Sequence, residues 1–143
     1  PRVVALTWGA EDLAAAIGAS ANLNPDGSYG FTFELARSLT LLGASSAGVN
    51  AIDTISANFK DMDALRLRAE KVRRDGFRGM LAIHPAQVPV INAAFTPSTD
   101  EIAEAQEIVD VFAANPGMGA IAWKGGMLDL PFLTRAQQVL AQV

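Results

Sequence analysis

Cysteine is absent and histidine occurs once, at His84. Without thiols there is no disulfide scaffold, iron–sulfur cluster, Cys-ligated zinc site or thiol nucleophile. A single imidazole excludes metal sites built on two or three histidines. Surplus positive charge is missing too: 11 Lys and Arg stand against 15 Asp and Glu, a formal net charge of −4. A phosphate footprint needs the opposite balance, which argues against a nucleic-acid partner. No apolar run reaches the roughly 18–20 residues of a membrane span, and nothing has the layout of a signal peptide. The expectation is a soluble, cytoplasmic protein with no membrane partner.

What is present is a chain of 143 residues, half of them hydrophobic, enough for one domain with a core of its own. Its mean hydropathy of +0.24 is high for that size. The sequence opens at Pro1-Arg2 directly into an apolar run. A piece of a larger core reads this way, because it shows apolar surface that the missing part covers. The competing reading is an Ala-rich, well-packed helical protein.

Val3 to Trp8 is a short apolar run ending in Gly9, as in a strand buried on both faces. Glu11 to Ile17 turns helical and stops at Gly18; residues 20–30 form a loop by composition. Phe31, Leu35, Leu39 and Leu42 then recur at helical spacing, and Gly48 closes that helix. Asn50 to Ser56 reads as a second strand, 61–75 as a polar helix stopped by Gly76, and Gly79 to Ile83 as a third strand ended by His84-Pro85. A short helix over 86–94 follows, then a Ser98/Glu101 capping box opening a helix to about Ala114. Residues 115–129 are Gly-rich and irregular, and Pro131 starts a closing helix. Alternating β and α elements imply parallel strands, either as a small open sheet or as a sector of an eight-stranded barrel.

In α/β folds the chemistry gathers at the C-terminal ends of strands. The Gly9-Ala10 turn, Asp12, Asp53 and His84 lie there. Asp12 is either a first-turn acid stabilised by the helix dipole or a functional carboxylate. Asp53 interrupts an apolar strand, so it is either a polar site wall or a partnered core acid. His84, held extended by Pro85, is a hydrogen-bonded rim residue or a catalyst. The basic residues between Arg66 and Arg78, interspersed with acids, read as a solvated helix face or an anionic-ligand patch.

Trp8-Gly9-Ala10-Glu11-Asp12-Leu13-Ala14 resembles the GAEDLA motif of the HpcH/HpaI aldolase/citrate lyase beta-subunit family. Ala51-Ile52-Asp53-Thr54 and Asn58-Phe59-Lys60-Asp61 are similar to its next strand and loop. The run from Gly76 through Ile83-His84-Pro85-Ala86-Gln87 to Ser98 is similar to its most recognisable stretch, and Gly125, Met127, Asp129 and Pro131 match its C-terminal loop.

The resemblance implies a TIM (β/α)8 barrel, represented by about the last three β/α units over 1–97 and a C-terminal helical extension or lid over 98–143. It implies a Mg²⁺-dependent carbon–carbon lyase on a carboxylated 3-hydroxyacyl-CoA such as citryl-, malyl- or citramalyl-CoA. A pyruvate-type aldolase without CoA and a catalytically silent subunit are the alternatives. Retro-aldol cleavage leaves an enolate whose charge Mg²⁺ stabilises, and Mg²⁺ takes hard oxygen ligands with several waters. Asp12 is then one metal ligand, with the second in the absent half. Gly9, Ala10, Asp53 and Lys124 are expected at the substrate, with Asp53 and His84 as pocket candidates and no proton transfer assigned. Expected partners are an acyl-CoA or small carboxylic acid, the missing barrel half, and further copies in a homo-oligomer (a trimer or multiple). Lys124 stands where many relatives carry Asp, which reverses the charge of a lid residue.

Overall fold

A computed structural model describes residues 2–143 as two compact units, one ending at Phe95 and one beginning at Thr96. The first holds β1 (Ala5–Thr7), α1 (Ala10–Ile17), α2 (Phe31–Ser46), β2 (Asn50–Asp53), α3 (Met62–Asp75), β3 (Gly79–Met80) and α4 (Gln87–Phe95). The three strands form one parallel sheet in the order β1-β2-β3, with Leu6 opposite Ala51 and Asp53 opposite Met80. Short apolar strands alternating with helices of 14–16 residues build this pattern, since parallel neighbours need a crossover.

Helix ends follow the glycines. Gly18 and Gly76 terminate α1 and α3 at φ 70° and 110°, and Gly48, at φ 66°, follows α2. The third strand is shorter than the apolar run Gly79–Ile83. Leu81 N–H still donates to the Asp53 carbonyl at 3.0 Å, but the amides of Ile83 and His84 turn to the Gln87 side chain instead. A side chain there takes over the role of a neighbouring strand.

The core of this unit packs Ala44, Ala51, Val72 and Phe77 in one cluster, and Leu65, Ala69, Met80 and Ile91 in another. Helix α2 enters through Phe33, Arg37 and Ala44. Its Phe31, Leu35, Leu39 and Leu42 stripe, which carries the helical spacing in the sequence, is exposed, Phe31 at 81%. The helix therefore has two apolar faces, of which the described residues cover one.

The second unit comprises α5 (Thr99–Ala114), β4 (Ala120–Trp123), β5 (Gly126–Asp129) and α6 (Leu130–Leu140). The stretch 115–129, expected from the sequence to be irregular, holds a hairpin: β4 and β5 pair antiparallel with Trp123 opposite Gly126. The two-residue turn puts Lys124 at φ 44° and Gly125 at φ 78°, the left-handed pair that such hairpins require. Ile121, Trp123 and Leu128 pack against Ala105, Ile108 and Phe112 of α5 and Ala136 of α6. Ser98 caps α5 in a full capping box, accepting from Glu101 N–H while Glu101 accepts from Ser98 N–H.

Candidate functional site

The C-terminal ends of β1 and β2 are tied together by two hydrogen bonds. The Trp8 indole N–H donates to Asp53 Oδ1 at 2.6 Å, and Ala10 N–H donates to the Thr54 hydroxyl at 3.3 Å. Asp53 is 0% exposed and its carboxylate is fully engaged. Besides Trp8 it accepts from Arg37 Nε at 3.0 Å and from Thr54 N–H at 2.9 Å. Of the two readings open in the sequence, this geometry is that of a partnered core acid. A buried carboxylate needs such donors, since an isolated charge costs several kcal/mol.

Arg37 reaches Asp53 and Asp75 and lies 4.7 Å over the Phe77 ring. Burial opposes its charge, but the two carboxylates outweigh that and raise its pKa above the ordinary arginine value. The Tyr29 ring meets Trp8 edge-on at 5.2 Å and Arg68 at 4.7 Å, and its hydroxyl accepts from Arg68 Nη2. Burial lowers the pKa of Arg68, with Glu11 partly offsetting it. Trp8 is thus fixed on two sides, and with it the Gly9 turn that follows.

Asp12 is the third residue of α1 and exposed. Its carboxylate has no hydrogen-bond or ion-pair partner among the described residues. It folds back over the turn, so that a Cβ on Gly9 would stand 2.5 Å from Asp12 Oδ2. Gly9 has an ordinary extended backbone, φ −112° and ψ 108°, so a side chain there would have only to displace the Asp12 carboxylate. An open carboxylate in that notch, with its lone pairs free, suits one hard-oxygen contact to Mg²⁺. No group of three or more acidic or histidine side chains able to hold a metal occurs among the described residues.

His84 lies at the end of the third strand segment, exposed, its ring stacked on Phe59 at 5.0 Å and 18°. Nδ1 accepts from Ala86 N–H at 3.1 Å, so the neutral ring carries its proton on Nε2. Lys124 belongs to the second unit. There it is 59% exposed on the hairpin turn, 2.5 Å from Glu107 Oε2 and 4.3 Å from the centre of the Trp123 ring. Arg66 pairs with Glu70 on an exposed helix face, whereas Arg68 of the same basic stretch is drawn in over the Tyr29 ring.

Arg37, Thr54 and Gln87 were not singled out in the sequence. A signal for Arg37 exists: it falls four residues after Phe33 and seven before Ala44, on the buried face of α2. Gln87 likewise shares a face with Ile91 four residues on.

The family model described as HpcH/HpaI aldolase/citrate lyase matches residues 1–85. A citrate lyase subunit beta-like protein of Mycobacterium tuberculosis is 36% identical over 137 residues, covering 96% of this chain and 50% of that protein. Mitochondrial citramalyl-CoA lyase of Mus musculus is 33% identical over 138 residues, covering 95% and 39%. Among solved structures, the CitE protein of M. tuberculosis in complex with magnesium, acetoacetate and coenzyme A superposes with a TM-score of 0.84. It is 35% identical, and the match covers 95% of this chain and 50% of that one. The chain spans about half the length, or less, of the curated relatives it matches. No helix among the described residues is long and apolar enough to cross a membrane.

Proposed function

The chain belongs to the HpcH/HpaI aldolase/citrate lyase family, and from that premise we propose that the protein is a Mg²⁺-dependent carbon–carbon lyase acting on a carboxylated 3-hydroxyacyl-CoA thioester. Its α/β fold is of the TIM (β/α)8 type, present here as three β/α units. The observation that carries the reading is Asp12: an exposed carboxylate without a partner among the described residues, folded over the Gly9 turn at the C-terminal end of β1.

In this reading Asp12 and Gly9 hold the metal side of the site. Mg²⁺, when bound, supplies positive charge for the substrate oxygens on which negative charge collects as the carbon–carbon bond breaks. Asp53 acts from beneath: it fixes Trp8, and Trp8 fixes the Gly9-Ala10 turn. His84 offers its Nε2–H to an acceptor oxygen of the substrate. Both are placed by packing rather than by the ligand, which is the preorganisation that electrostatic catalysis needs.

The magnesium and coenzyme A named with the CitE structure, and the citramalyl-CoA of the mouse relative's name, support the choice of cofactor and substrate class. The outer strands β1 and β3 each have one unpaired edge among the described residues, and the α2 stripe is uncovered. Further β/α units of the barrel are proposed to cover them, with subunit contacts in a homo-oligomer. Residues 98–143, centred on a separate compact unit, are proposed as the lid, with Lys124 drawing an anionic part of the substrate to it.

The test is Mg²⁺-dependent release of acetyl-CoA from malyl-CoA and citramalyl-CoA by the full-length protein, with glyoxylate or pyruvate as co-product. Cleavage of either ester that stops on chelation is expected. No cleavage of any such ester with metal bound would overturn the assignment.

A further inference from the structure

We propose that Gln87 is a positioning residue that sets Phe59 and His84 as one stacked pair and so aims the His84 Nε2–H at the ligand. The inference rests on the reading above in one respect only, that the strand ends form the site.

Gln87, the first residue of α4, is fully buried although its side chain ends in a polar amide. Its amide is spent on backbone groups of two different loops. Oε1 accepts from Ile83 N–H at 2.9 Å and from His84 N–H at 3.3 Å, and Nε2 donates to the Ser56 carbonyl at 2.9 Å. Three of the four hydrogen bonds that an amide side chain can make are thereby used. The Ile83 and His84 amides have left the sheet, and the acceptor both of them meet is Gln87 Oε1. Gln87 supplies the partner on both sides, joining the segment after β3 to the segment after β2.

Those two segments carry the stacked rings. Phe59 lies three residues after Ser56, and the amide of His84 is itself one of the clamped groups. Both rings are exposed, and contact between two exposed rings is too weak alone to order two loops. Pro85 holds the His84 backbone extended, and the Ala86 N–H fixes the tautomer. With Gln87 in place, position, ring plane and proton are all set before a ligand arrives. A glutamine kept only for helix packing would not bridge both loops.

The experiment uses full-length protein labelled at histidine. His84 is the only histidine of this chain, and its ring signals are assigned by their loss in His84→Gln. Stacking on Phe59 moves its ring protons upfield, and Phe59→Leu calibrates that shift. Gln87→Met keeps length and removes all three bonds; Gln87→Glu keeps the two accepted bonds but sets a carboxylate against the Ser56 carbonyl. The upfield shift should be largely lost in Gln87→Met and reduced in Gln87→Glu. KM for the ester should rise more than kcat falls, with metal affinity unchanged. A wild-type shift in whichever variant folds overturns the proposal. The NMR readout needs no turnover, so loss of the shift in a protein that cleaves no ester would sink the lyase assignment and leave the clamp standing.

Discussion

Replacing Asp53 by alanine removes the acceptor for three donors at once. Trp8 Nε1, Arg37 Nε and Thr54 N–H all point at a carboxylate that has no exposure. Arg37 keeps Asp75 at 2.7 Å, but that acid is 36% exposed and its attraction is screened accordingly. Breaking a buried ion pair from one side costs about 3–5 kcal/mol, because the abandoned charge stays buried. An indole N–H left without an acceptor costs about 1–3 kcal/mol more, part of which relaxation recovers. A total of about 4–6 kcal/mol is expected, a large share of what holds a domain of this size. The assay is urea unfolding followed by Trp8 fluorescence in a Trp123→Phe background, which isolates the unit containing Asp53. Asp53→Leu combined with Arg37→Met should lose clearly less than Asp53→Ala alone, since no charge is then stranded. A loss below about 1 kcal/mol for Asp53→Ala would refute the core-acid reading and return Asp53 to the substrate.

Other perturbations follow from the same geometry. Gly9→Ala should weaken metal binding by displacing the Asp12 carboxylate while leaving the melting temperature nearly unchanged, because the backbone there is ordinary and only the 2.5 Å approach is lost; metal titration beside thermal unfolding checks it. Lys124 sits at φ 44°, which strains a lysine by about 1 kcal/mol, and its exposed pair with Glu107 returns about 0.2–1 kcal/mol. Lys124→Asn should therefore leave hairpin stability equal or higher. Lys124→Asp, which restores a carboxylate able to steer water, should raise acyl-CoA hydrolysis with Mg²⁺ binding unchanged; fast hydrolysis in the wild type would contradict this. The hydroxyl of Ser28, then its N–H, hold the Asp26 carboxyl below its ordinary 3.8. Its contribution to the 24–29 loop is thus complete above pH 3.8 and lost as pH falls through the depressed value. In Ser28→Ala the Asp26 carboxyl should titrate closer to 3.8, as carboxyl NMR would report.

Local signals with one physical meaning were legible in the sequence. A glycine at the end of a helical segment is the residue best suited to a left-handed stop, and Gly18, Gly48 and Gly76 all have positive φ. The Ser98/Glu101 pair forms its box because both of its bonds lie within one turn. Signals that depend on what lies across the chain were not. The stripe Phe31, Leu35, Leu39 and Leu42 reveals a helix but not which apolar face is covered, and the covered one runs through Phe33, Arg37 and Ala44. The hairpin over 120–129 hid behind its glycines, although Ala120-Ile121-Ala122-Trp123 alternates with period two before a Lys-Gly turn. Asp53 was visible as an anomaly in an apolar strand, but its partners Trp8 and Arg37 lie 45 and 16 residues away. Asp12 stands out by its place after the first strand, and the family resemblance adds the expectation of a metal ligand; its open carboxylate and close approach to Gly9 belong to the folded chain alone.

The most direct test of the account is a metal titration of the full-length protein with Mn²⁺ as a paramagnetic stand-in for Mg²⁺, wild type against Asp12→Asn. Asp12 as a metal ligand predicts an affinity lowered at least about tenfold, some 1.4 kcal/mol, in a protein whose melting temperature barely moves. Equal affinity in the two proteins, with stability reduced by the few tenths to about 1 kcal/mol of a first-turn helix acid, would contradict it.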